Sequence, residues 1–89
     1  MLGVVVYYTY VVQSAKDKGF YTGVTKDLKQ RFEQHNKGLV ESTRERIPLK
    51  LIYYEACQDK KDAIKRERYL KTYNGKMFLR RRLKSYLTG

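Results

Sequence analysis

Eighty-nine residues suffice for one small core and leave no room for a second. Twenty Lys and Arg against nine Asp and Glu give a net charge of +11, which excludes an acidic tail and an anionic, calcium-type protein. Hydrophobic residues at 42% and aromatics at 13% exclude a disordered chain, because that much apolar surface offsets the entropy of ordering.

No apolar run approaches the roughly 18–20 residues that cross a bilayer, so no membrane role is expected. Cys57 is the single cysteine, which rules out an internal disulfide and a CxxC zinc site and leaves a small buried apolar residue as its expected role. Met1 to Val12 lacks the basic start and small-residue cleavage site of a signal peptide. A single cytoplasmic domain over residues 1–89, monomeric, is the expectation.

Val4–Val12 (VVVYYTYVV) is β-branched and aromatic throughout, as in a strand covered on both faces. Ser14–Gly19 (SAKDKG) is a turn, and Phe20–Val24 is a second strand, making an antiparallel hairpin. Asp27 opens a helix with Gln30 as its capping partner, and Gly38 closes it. Val40–Pro48 is a polar loop, and Leu49–Ala56 (LKLIYYEA) is a third strand. Asp59 caps a second helix reaching about Tyr73. Asn74 caps a third, Gly75 to Leu87, with Leu79, Leu83, Tyr86 and Leu87 on its apolar face. The order ββαβαα predicts an α/β fold: a three-stranded antiparallel or mixed sheet flanked by three helices.

The charge is concentrated. Residues 60–84 hold eleven basic residues against Asp62 and Glu67, a balance of +9, and the other 64 residues total only +2. Such a stretch favours a polyanionic partner, because neutralised phosphates release their condensed counterions. Nine tyrosines, several beside basic residues, can stack on bases and favour nucleic acid over a solvated helical face or a lipid-bound helix.

Three charged or polar residues interrupt apolar stripes. Leu28 and Phe32 mark the core-facing side of the first helix, and Arg31 and His35 fall on that same side. Glu67 lies between Ala63 and Leu70 on the second helix. Polar residues in such places are paired or functional; an Arg31–Glu67 ion pair is the plain structural alternative. A symmetric connection at Gln13–Lys18 would set Tyr10 and Tyr21 opposite each other on one sheet face.

Tyr8-Thr9-Tyr10, Tyr21-Thr22-Gly23, Arg31, His35 and Glu67, in this order and spacing, resemble the GIY-YIG nuclease family. The chain is similar to its small stand-alone members, those related to the nuclease domain of the bacterial excinuclease C subunit. The resemblance spans roughly residues 4–87 and is strongest in Phe20–Asn36 and Lys50–Lys71. The first motif lacks glycine and isoleucine and keeps only Tyr10, and Leu79 stands where several family nucleases have a functional asparagine.

The resemblance implies a metal-dependent endonuclease that hydrolyses DNA phosphodiester bonds. Glu67 would be the sole protein ligand of Mg²⁺ or Mn²⁺, since such a cation keeps several waters and takes phosphate oxygens from the substrate. Arg31 would bind the scissile phosphate, and its planar fork suits that work. Tyr10 or Tyr21 would be the general base, and His35 would hold a tyrosine or phosphate or shuttle a proton. Gly23 lets backbone pass close to substrate or only bends the strand. Lys71, Arg80 and Arg81 on the basic helices, and Thr43, Arg44 and Arg46 in the loop, would contact the backbone of duplex or branched DNA. Repair, recombination and genome mobility all fit. The alternative is a nucleic-acid-binding module, catalytically weak or inactive, working with a partner protein that supplies specificity.

Overall fold

The computed structural model describes residues 5–89. Its elements are β1 (Tyr7–Ser14), β2 (Phe20–Thr25), α1 (Leu28–Asn36), β3 (Leu49–Cys57), α2 (Lys60–Leu70), α3 (Tyr73–Arg82) and the short α4 (Lys84–Thr88), with a 3₁₀ turn at Arg44–Arg46. Val4, the expected start of the first strand, lies outside the described residues, and β1 begins at Tyr7.

The sheet order is β2-β1-β3, and both pairings are antiparallel, so no parallel pair mixes into it. The central place of β1 explains its apolar run: Thr9, Tyr10, Val11 and Val12 are all buried. Side chains alternate across a strand. Val11 therefore meets Leu70 of α2 and Leu79 of α3 on one face, while Tyr10 and Val12 meet Leu28 and Phe32 of α1 on the other. Thr9 lies on the α2 face, where its hydroxyl donates to the Ala63 carbonyl at 2.9 Å. The sheet thus separates α1 from α2, and β2 is one of its two edge strands.

Local signals account for most boundaries. Asp27 accepts the Gln30 N–H at 3.0 Å and Asp59 accepts the Lys61 N–H at 2.7 Å, each satisfying an orphan donor at a helix start. The end of the chain departs from expectation. Thr72, not Asn74, caps α3, its hydroxyl taking the Gly75 N–H at 3.0 Å. The second helix accordingly ends at Leu70, short of Tyr73. The expected third helix divides at Leu83 into α3 and α4. Gly75 lets α3 press on the end of α2, for a β-carbon there would overlap the Tyr69 carbonyl. Cys57 is half-buried, with its thiol 3.4 Å from the Asp59 carbonyl, and is not a core residue.

The hairpin register also differs. The Ser14 N–H donates to Gly19 O at 3.1 Å and Gln13 pairs with Phe20, so the connection is Ser14–Gly19, not Gln13–Lys18. Tyr10 therefore faces Gly23, and Tyr21 faces Val12. The two tyrosines share a sheet face but stand diagonally, not opposite.

Candidate active site

β1 delivers Tyr10 into the space under α1. The ring is 3% exposed and extends over Gly23, where a β-carbon would lie 2.5 Å from its hydroxyl oxygen and 2.7 Å from Cζ. Room for this tyrosine is the reason for the glycine. Leu28 and Phe32 seat α1 on the same core, which turns Arg31 and His35 toward the sheet.

His35 is 4% exposed and is held at both ring nitrogens. Nε2 lies 2.8 Å from Tyr10 Oη, and Nδ1 lies 2.7 Å from Thr43 Oγ1. Burial, then the Arg31 guanidinium, push its pKa below the ordinary histidine range, so the imidazole is neutral near pH 7. Thr43 itself is buried, which removes it from the residues that reach outward to DNA and makes it the support behind His35.

Tyr21 is tied elsewhere. Its hydroxyl donates to Asp17 Oδ2 at 2.9 Å. The Gly19 N–H, this phenol, the Ser14 hydroxyl and Arg46 together hold the Asp17 carboxyl below its usual range, the Gly19 bond foremost. Arg31 Nη1 donates to Gln34 Oε1 at 3.2 Å, and Glu67 accepts from Lys71 Nζ at 3.1 Å. The Arg31–Glu67 ion pair is not formed. Glu67 keeps 22% of its side chain exposed.

Tyr10, Tyr21, Arg31, His35 and Glu67 line one cleft of about 430 Å³. It straddles β2, with α1 supplying one wall and α2 the other. Among the described residues no group of three or more His, Cys, Asp or Glu could hold a metal ion. One partly exposed carboxylate beside an open cleft is still a suitable donor set for a hard cation that keeps its waters and binds substrate phosphate. Glu67 fits that description, and the cleft offers no second carboxylate.

The expected DNA contacts divide. Lys71 lines the cleft and also an adjoining hollow of about 250 Å³ that adds Phe20 and Lys76. The Arg80 guanidinium stacks 5.3 Å from the Phe20 ring, at the border of that hollow. Arg81 and Arg44 are exposed and line neither space. Arg46 is engaged with Asp17 at 3.1 Å, which draws it into the hairpin network. Arg66, one of the eleven basic residues, bonds Glu55 at 2.8 Å and covers the Phe78 ring at 4.8 Å, so it serves the fold.

Lys60 and Ile64 also line the cleft and were absent from the sequence expectation. Their signal was present: Lys60, Ile64, Glu67 and Lys71 follow helical spacing along one face of α2.

A family model described as the GIY-YIG catalytic domain matches residues 6–81. A UPF0213 protein of Clostridium perfringens is 41% identical over 75 residues, covering 81% of this chain and 80% of that protein. One from Staphylococcus aureus is 39% identical over 75 residues, covering 83% and 90%. The solution NMR structure of a UPF0213 protein from Bacillus halodurans superposes with a TM-score of 0.52 at 31% identity, covering 83% of this chain and 81% of that one. Among the described residues, no helix is long and apolar enough to cross a membrane.

Proposed function

We propose, for a chain that belongs to the GIY-YIG catalytic-domain family and resembles small UPF0213 proteins over most of their length, that it is an endonuclease hydrolysing DNA phosphodiester bonds with one divalent cation. The observation that carries this reading is the convergence of Tyr10, Tyr21, Arg31, His35 and Glu67, from four separate elements, on one cleft beside the basic face of α2.

Glu67 would hold Mg²⁺ or Mn²⁺, which when bound supplies Lewis-acid polarisation of the phosphate. Lys71 donates to Glu67 and lines the same cleft, where its ammonium would also meet a substrate phosphate. Arg31, held by Gln34, offers its remaining donors to the scissile phosphate and stabilises the charge that gathers there. The two tyrosines divide the handling of water. Tyr21 donates its hydroxyl hydrogen bond to Asp17, so its oxygen is left to accept from a water in the cleft and orient it. Tyr10 meets a neutral imidazole instead of a carboxylate and is the better candidate to take the proton. Lys71, Lys76 and Arg80 run from the cleft past Phe20 and would track the DNA backbone without reading sequence.

The test is nicking of supercoiled plasmid with Mg²⁺, Mn²⁺ or EDTA, beside Glu67→Gln and Arg31→Ala. Metal-dependent nicking should fall by about 10²-fold or more in both variants. DNA affinity in Glu67→Gln should stay within a few-fold. Equal activity in all three proteins would point to a contaminant. DNA binding with no change to the plasmid from any variant or metal would support the second reading, a binding module.

A further inference from the structure

We infer that Asp17 is a positioning residue for strand cleavage: braced by Arg46, it fixes the direction of the Tyr21 hydroxyl, so that Tyr21 meets the cleft only as a hydrogen-bond acceptor. The inference rests on the nuclease reading above and adds two residues that line neither the cleft nor its adjoining hollow.

The direction of the bond follows from the chemistry of its two ends. A phenol has one O–H and two lone pairs, whereas an ionised carboxylate can only accept. Asp17 is ionised near pH 7, because the Gly19 N–H, the phenol, Ser14 and Arg46 hold its carboxyl below the usual range. The 2.9 Å contact at Oδ2 therefore takes the Tyr21 hydrogen. Only lone pairs are left on the Tyr21 oxygen for a water in the cleft.

An exposed carboxylate with one partner would be a loose tether. Asp17 is not loose, because the turn that carries it is fastened at several atoms. Its Oδ1 accepts the Gly19 N–H at 2.8 Å, and Arg46 Nε lies 3.1 Å from Oδ2. The Asp17 N–H donates to Ser14 Oγ at 3.2 Å, and that buried hydroxyl donates to the Arg46 carbonyl at 2.6 Å. The Ala15 N–H donates to Pro48 O at 2.9 Å. Arg46 thus grips the hairpin turn through both its carbonyl and its guanidinium. Gly19 leaves room for the assembly, for a β-carbon there would lie 3.0 Å from Asp17 Oδ1 and 3.4 Å from Tyr21 Oη.

Asp17→Asn tests this role with little change of shape. Its amide oxygen can keep the Gly19 bond, which leaves the amide nitrogen facing Tyr21. That nitrogen only donates, so the bond reverses and the Tyr21 hydrogen is freed toward the cleft. In the full-length protein, the single-turnover nicking rate at saturating protein should fall about tenfold or more. Melting temperature and DNA affinity in EDTA should stay close to wild type. In a Tyr21→Phe background the same substitution should lower the rate no further. A wild-type rate in Asp17→Asn overturns the inference, and so does an equal loss with and without the Tyr21 hydroxyl. If Tyr21→Phe has no measurable rate, the Asp17→Asn rate set against its own melting temperature and affinity decides. If Asp17→Asn does not fold, Arg46→Met, which keeps the carbonyl bond to Ser14, should show a smaller loss with the same dependence on Tyr21. Wild-type protein that binds DNA without nicking it removes the nuclease reading and this role together. Wild-type nicking with additive losses removes this role alone.

Discussion

Gly23 stands directly across the β1–β2 ladder from Tyr10, and the tyrosine ring fills the place where any other residue would carry its β-carbon. That ring is held at its tip and along its side, because the hydroxyl is bonded to His35 and the ring is packed against α1. Gly23→Ala should therefore displace Tyr10 and not simply slide past it. The expected loss is about 1–3 kcal/mol of stability, read by denaturant unfolding. A shift of about 1 Å at a reacting group costs roughly 10²-fold in rate, so nicking should suffer more than folding. Unchanged melting and nicking would show that the ring has freedom the packing denies it.

His35 makes stability depend on pH in a defined direction. Its folded pKa is depressed, by burial first and by Arg31 second. Below about pH 6.5, the ordinary value, the unfolded chain takes up the proton more readily than the folded one. Stability should be full above that value and decline as pH falls toward the folded pKa. Arg31→Met removes the second cause only, so the NMR titration of the single histidine should move part of the way back toward 6.5. The decline in melting temperature should become shallower. Asp17, whose pKa is lowered from 3.8, does not titrate in this window.

Basic residues of similar appearance should behave differently. Lys76 is exposed beside the hollow that continues the cleft. Lys76→Ala should make the salt dependence of DNA binding shallower by about 0.7–0.9 in the log–log slope, the share of one phosphate contact, with folding unchanged. Arg66→Ala should leave that slope alone and cost about 1 kcal/mol of stability, because Arg66 bonds Glu55 and stacks on Phe78 and Tyr69. Binding titrations at several salt concentrations, with thermal melts alongside, separate the two outcomes. Identical behaviour of the two variants would contradict the division.

The junction of α2 and α3 offers a test of the fold alone. Thr72→Ala should cost about 1 kcal/mol through the lost cap, whereas Asn74→Ala should cost little, since Asn74 is exposed and caps nothing. Gly75→Ala should cost more than either, about 1–3 kcal/mol or beyond, because its β-carbon meets backbone that cannot rotate away. The order of the three melting temperatures is the readout.

Much of this architecture was legible in one dimension. The apolar run of β1 announced a central strand, Asp27 and Asp59 announced helix starts, and Leu28 with Phe32 defined which side of α1 is buried. Arg31, His35 and Glu67 stood out because charge or polarity on an apolar stripe is costly unless something uses it. Leu79, at the position of the family's asparagine, is buried in the core, so its apolar character is structural here.

Local patterning by itself therefore marked most of the elements and their order and set Arg31, His35 and Glu67 apart, because strand alternation and helical spacing act over a few neighbours, while Tyr10 and Tyr21 joined them only through the resemblance of their motifs. The tertiary structure alone decided the rest. Of the two connections the chain offered, Ser14–Gly19 and Gln13–Lys18, the fold took the first, and this set Tyr10 against Gly23. Burial of Thr43 turned a loop residue inward to His35, while Asp17 claimed both Tyr21 and Arg46. Each of these depends on where a polar group finds its partner across the fold, and a buried donor or acceptor has no way to declare that partner from its own place in the chain.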